Sequence, residues 1–377
     1  MDKNRVGINQ IALLYLLSIE GGKFLTLPSI LAKDVGHDSW LVMAFGFLWD
    51  AVCLCFLLWA IKLNQSSPMN LAVILDKTVS KVVSKIVMAL FFVMFIIRAD
   101  ILLAACYKTF AVTFDVSTNW IVFALPIALL SFFAVKLGFN AIARTSQLLF
   151  GIIFISVLFL VLSPVSQVKL TSLLPIGEAG WGKIIGDSFL RSFWFSDYLF
   201  VYFVWDSIKV KNNRVFAPVM TAFAVGAVLT VCMDAVFAAL YGSMASEFEL
   251  AMSKIGVYFV SNSSNGRWDW LTLSIWLTSV FLKIIVFIFS AYKSLELMFG
   301  FNKDKLNVVA LIFISLTLML PMLVSSEILL STVVAWGLIP FAIVQYALPV
   351  SLPFLTKLAQ RKTSAVNAAN KETVNNE

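Results

Sequence analysis

The chain has 377 residues, of which 60% are hydrophobic, 14% aromatic and only 13% charged, about half the charged share of a soluble domain. That excludes an ordinary soluble domain, and because a hydrocarbon span takes roughly 20 residues, at most about a dozen helices fit. The formal charge of +7 is spread through short loops without a basic, aromatic-laced stripe, which argues against nucleic acid as a partner and for membrane lipid.

Apolar runs long enough to span occur at 8–32, 39–61, 82–106, 119–137, 143–163, 185–207, 215–241, 268–292, 305–324 and 330–356. They predict an all-α polytopic protein of ten transmembrane helices. One membrane domain covers 1–357, and the polar, Asn-rich stretch 358–377 reads as a disordered cytoplasmic tail. No small-residue cleavage site follows the first run, so a removed signal peptide is not expected. With the N-terminus in the cytoplasm, the inner loops collect most of the lysines and arginines, among them Lys62, Lys77, Lys81, Lys85, Lys136, Lys293 and Lys357. The outer loops receive few, such as Lys33, Lys169 and Lys183. This asymmetry fits an even helix count with both termini inside. Two shorter pieces are predicted on the membrane surfaces, an inner one within 66–81 and an outer one at FELAMSKIGVYFV, residues 248–260.

Ionisable side chains at bilayer depth cost several kcal/mol unless paired or wetted, so they are candidates for function. In the first span Glu20 and Lys23 flank Gly21 and Gly22. Glycines without side-chain shielding, between charges, predict an interrupted helix whose freed backbone groups line a cavity. The alternative is a straight helix in which Glu20 and Lys23 pair at i, i+3. The sixth span is also irregular, with Arg191, Ser192, Ser196 and Asp197 in an aromatic run. Interrupted spans at corresponding positions of two five-helix halves point to a midplane site, where half-helix termini meet the charged ends of a ligand. Other charges at depth are Asp50, Arg98, Asp100, Asp234 and Lys283. Asp50 and Asp234 stand alone on apolar helices and read as structural. Lys283 reads as a partner for Asp50, Asp197 or Glu20, and as a charge-compensating or proton-carrying coupling group.

Soluble-enzyme chemistry finds no footing. The single histidine, His37, lies in the first outer loop, and neither GxGxxG nor GxxxxGK[ST] occurs. No catalytic residue, metal site or cofactor is therefore expected. The cysteines Cys53, Cys55, Cys106 and Cys232 all lie in apolar runs and read as packing residues.

Five segments carry a family likeness: INQIALLYLLS opening the first span, LPSILAKDVGHDSWL after the glycines, IARTSQLLF in the fifth span, LTSLLPIGEAGWGKIIG before the sixth, and WLTSVFLKIIVFIFSAYKSLELMFG in the eighth. In order and spacing they resemble the spore germination permease family, the transporter-like B subunits of germinant receptors within the amino acid-polyamine-organocation superfamily. The resemblance implies a leucine-transporter-type 5+5 inverted repeat with broken helices 1 and 6. It also implies a membrane subunit that binds a small amino-acid-like nutrient and acts with a larger A-type subunit and a lipoprotein C-type subunit in the spore inner membrane. The chain departs from the family pattern where Glu20-Gly21-Gly22-Lys23 replaces a Gly-Thr-rich break, and where Ser196-Asp197 stands for Gly-Glu. The expected ligand site is Glu20, Gly21, Gly22, Lys23, Arg98, Ser196 and Asp197, with Lys283 as the coupling group. The other expectation is a proton-coupled amino-acid permease working alone in the cell membrane.

Overall fold

The structure is a computed structural model that describes residues 6–65, 68–114, 119–205, 208–209, 215–248, 251, 255, 268–300 and 339–375. Its main elements are β1 (Val6–Gly7), α1 (Ile8–Val35), α2 (Ser39–Asn64), α3 (Leu71–Thr78), α4 (Lys81–Phe114), α5 (Trp120–Leu137), α6 (Phe139–Leu162), α7 (Trp181–Leu190), β2 (Ile208–Lys209), α8 (Phe216–Tyr241), α9 (Trp268–Phe299) and α10 (Leu348–Asn375). β1 and β2 form a two-residue parallel pair that ties the start of α1 to the chain beyond the sixth span.

Among the described residues, seven helical stretches are long and apolar enough to cross a membrane: 8–64, 81–112, 120–137, 139–167, 216–247, 274–299 and 339–364. The first is divided by a turn at Gly36–Asp38 into α1 and α2. The predicted span at 305–324, the first part of that at 330–356, and most of the outer piece at 248–260 lie outside the described residues. The inner piece is α3, whose N-terminus is capped by the Asn70 side chain accepting from Val73 N at 2.9 Å.

The core is built around α1 and the 3-10 segment Asp197–Phe203, all of whose residues are buried. α9 packs on α4, and α1 packs on α8, α9 and α6. α5 and α6 stand at the periphery and present Leu125, Leu129, Phe133, Leu148 and Ile155 outward. In water so continuous an apolar face would promote aggregation, whereas hydrocarbon is its natural solvent.

Both ends of the bundle are braced by polar side chains. Asp38, at the turn after α1, accepts from Gly177 N at 2.9 Å and Ala179 N at 3.0 Å, which fixes the loop before α7. At the other end Asn64 accepts from Met69 N at 3.1 Å and donates to Met69 O at 2.8 Å.

The first residues of the stretch expected as a tail make contacts with α2 and α3. Gln360 Nε2 donates to Leu63 O at 2.8 Å, Lys77 Nζ donates to Thr363 Oγ1 at 2.8 Å, Lys362 Nζ donates to Lys77 O at 2.7 Å, and Ala359 is fully buried. Residues 359–363 thus continue α10 and pack against α2 and α3.

Candidate functional site

α1 is interrupted where the sequence places two glycines: Gly21 has φ −75° and ψ 68°, and Gly22 has φ 145° and ψ −27°. Only glycine takes the second conformation without strain. Space requires glycine as well, since a Cβ on Gly21 would stand 2.7 Å from the Ser279 carbonyl oxygen of α9, and one on Gly22 would stand 2.6 Å from Leu102 Cδ2 of α4. The break thus lets α1 approach α9 and α4 closely.

The sixth span departs from the α-helix over a longer stretch. After α7 come a 3-10 turn at Ser192–Trp194, an extended Phe195, Ser196 in the left-handed region at φ 64° and ψ 38°, and the 3-10 segment from Asp197. A left-handed serine is uncommon and costs about 1–2 kcal/mol, so something must hold it. Asp50 of α2 does: its Oδ2 accepts from Ser196 N at 2.7 Å and its Oδ1 accepts from Ser196 Oγ at 3.1 Å. Gly46, one turn earlier on α2, leaves room for the Phe195 ring.

The two irregular segments meet at Asp197. Its Oδ2 accepts from Lys23 Nζ, and its Oδ1 lies 2.9 Å from Lys283 Nζ of α9. All three side chains are at most 4% exposed. Lys23 also sits over the rings of Phe47 and Phe195 at 5.4 and 5.6 Å. Arg98 of α4 reaches the same place, its Nη1 donating to Ser196 O at 3.5 Å and its guanidinium lying 5.1 Å from the Phe193 ring and 5.9 Å from the Phe287 ring.

A cavity is enclosed by Gly22, Lys23, Arg98, Ile101, Leu102, Phe193, Trp194, Asp197, Lys283 and Phe287. Its water-accessible space is about 20 Å³, room for about one water molecule. A larger cavity of about 390 Å³ lies near the start of α1, lined by Val6, Asn140, Phe203, Tyr292, Lys293 and Glu296 among others. At the outer end Arg191 grips Asp34 Oδ2 with Nη2 at 2.6 Å and Nε at 2.8 Å, joining the ends of α7 and α1.

Of the expected residues, Gly22, Lys23, Arg98, Asp197 and Lys283 line one cavity, and Ser196 adjoins it through its backbone. Glu20 is not in the lining: it is fully buried and neither of its carboxylate oxygens has a partner among the described residues. The alternative pairing of Glu20 with Lys23 is not formed, because Lys23 turns to Asp197 instead. Asp50, read from sequence as a structural charge standing alone on its helix, has a partner on another segment, since it holds the left-handed serine at the centre of the break. Its signal was available, namely an acid at bilayer depth, but only the tertiary fold brings Ser196 to it. Phe193, Trp194 and Phe287 were missed, as aromatic residues in an aromatic-rich sequence carry no positional signal.

Comparison with known proteins bears on the fold and the family. The fold is similar to that of Mhp1, a nucleobase-cation-symport-1 family transporter in a closed conformation with bromovinylhydantoin bound. The TM-score is 0.60 and the identity 13%, covering 90% of this chain and 77% of that one. No curated protein sequence matches. The family described as spore germination protein matches residues 5–327. That match runs through every segment that builds the cavity, from the break in α1 to Lys283 of α9, and the chain belongs to the spore germination protein family.

Proposed function

We propose that this protein is the membrane subunit of a germinant receptor, which binds a small amino-acid-like nutrient at the midplane between spans one, three, six and eight. The observation that carries the proposal is the Lys23–Asp197–Lys283 cluster between two interrupted spans, beside an unsaturated Arg98. Charges so deep are retained against their desolvation cost where they bind or switch. The cavity is too small for a nutrient as it stands. Binding therefore has to open it, shifting a two-state equilibrium of the bundle that a larger A-type subunit and a lipoprotein C-type subunit would read. This reading includes ten spans in a leucine-transporter-type inverted repeat, both termini in the cytoplasm, and residence in the spore inner membrane.

Gly22→Leu tests the site directly. The new side chain would be driven into Leu102, so spores carrying it should lose nutrient response while the protein still reaches the membrane. An unaltered response sinks the proposal.

A second reading is a proton-coupled amino-acid permease acting alone in the cell membrane, with Lys283 as coupling group. It is favoured by the direct contact of Lys283 with Asp197 and by the transporter fold. Uptake of labelled amino acids into proteoliposomes holding only this chain separates the two readings. Accumulation driven by a pH gradient speaks for the permease, and its absence for the receptor.

A further inference from the structure

We infer that the central cavity recognises a carboxylate, and that its ligands are small monocarboxylates such as hydroxy acids ahead of zwitterionic amino acids. The inference rests on the nutrient-site reading above and narrows the amino-acid-like ligand to analogues that keep the carboxylate and lack the ammonium.

Arg98 supplies the first argument. It is 5% exposed, lines the cavity, and has no partner for Nε or Nη2 among the described residues, while Nη1 is engaged by Ser196 O. Nε and Nη2 form one edge of the guanidinium, the fork that matches the two oxygens of a carboxylate. Phe193 and Phe287 lie against the guanidinium and limit its rotation, so this edge is preorganised. Buried donors left without acceptors are costly, and an anion in the cavity removes that cost.

Charge balance supplies the second. The lining carries three cations, Lys23, Arg98 and Lys283, against one acid, Asp197. Counting the adjoining Asp50 still leaves one positive charge in excess. With all five groups ionised, a monocarboxylate brings the cluster to neutrality, whereas a zwitterion leaves the excess in place.

The third argument is the lack of an acceptor for an ammonium group. Both oxygens of Asp197 are taken by lysines, and both oxygens of Asp50 by Ser196. Glu20 has free oxygens but does not line the cavity. An ammonium would enter beside Lys23 and Lys283 with no acid but the already doubly engaged Asp197 among the described lining residues, at a repulsive cost that a hydroxyl or methyl group avoids.

The test is the melting temperature of the purified full chain in nanodiscs at neutral pH, titrated with propionate, L-lactate, L-alanine and L-alaninamide. Propionate and L-lactate should stabilise the protein with apparent affinities at least tenfold tighter than L-alanine, and L-alaninamide should do nothing. Arg98→Lys, which keeps the charge but not the fork, should weaken the carboxylates at least tenfold, and Arg98→Gln should abolish their effect. The ranking on the unaltered chain decides the matter even where these variants do not fold. L-alanine binding as tightly as L-lactate overturns the preference for monocarboxylates over zwitterions, any stabilisation by L-alaninamide overturns the carboxylate assignment itself, and either result leaves the nutrient site standing. No shift with any of the four overturns both.

Discussion

Lys23 and Lys283 take opposite oxygens of the same carboxylate, that of Asp197, so the break in α1 and the middle of α9 are joined through a single acid from the sixth span. The three side chains are buried, at most 4% exposed, so the ammoniums depend on this one carboxylate and on the small space beside it. Any motion that separates α1 from α9 must break one of these contacts, which makes the cluster a natural point for a ligand to act on.

Asp197→Asn leaves two buried ammoniums facing a neutral amide. Loss of one partner of a buried pair costs about 3–5 kcal/mol, so the variant should melt well below the parent. Combining Asp197→Asn with Lys283→Met removes one stranded charge and should recover part of that loss. A double-mutant cycle from thermal melts measures the coupling, and strictly additive losses would show that the contact is not energetically real.

Ser196 in its left-handed conformation is held by the two hydrogen bonds that its N–H and hydroxyl donate to Asp50. Ser196→Gly should be tolerated better than Ser196→Val by about 1–2 kcal/mol, since glycine removes the conformational cost while a β-branched residue raises it. Denaturation of both variants in detergent checks the order, and equal stability counts against the strained backbone.

Gly21→Ala places a methyl group 2.7 Å from backbone of α9, which cannot swing aside as a side chain does. The expected result is separation of α1 from α9, seen as a loss of stability and of any ligand response. Gly151→Ala on α6, where an added Cβ meets nothing within 4 Å, is the control and should behave as the parent. Similar effects at both positions would remove the packing argument.

Arg191→Gln unfastens the outer end of α7 from Asp34. Because the pair is partly exposed, the stability change should be small, about 0.5–1 kcal/mol. Access should change more: in a cysteine-free background carrying Phe193→Cys, a membrane-impermeant thiol reagent should label the cavity faster once Arg191 is replaced. Unchanged labelling would mean that the latch does not control entry.

Much of this protein was legible in its sequence, and for a definite reason. A bilayer leaves the chain few choices, so apolar runs of span length report helices directly, and Gly21 and Gly22 between two charges report a helix that cannot continue. Lys23, Arg98, Asp197 and Lys283 stood out because charge at bilayer depth is too costly to be incidental. The contacts of Gln360 and Lys362 were not legible, because polar composition says nothing of the backbone carbonyls of Leu63 and Lys77, which lie far away in sequence and receive these side chains.

What the sequence by itself determined was the solvent of the fold, the positions of its breaks and the identity of most charges in the site. Only the tertiary structure decided which charges meet. Glu20 and Lys23 are three residues apart and suited to pair on a straight helix, yet the non-helical backbone between them sends Lys23 to an acid 174 positions later and leaves Glu20 without a partner among the described residues. Asp50 gives no local sign of its role, since its partner is a serine 146 positions away. Pairing across helices depends on how they pack, and packing is fixed by side-chain volumes and glycine approaches over the whole bundle, not by the spacing of charges along the chain.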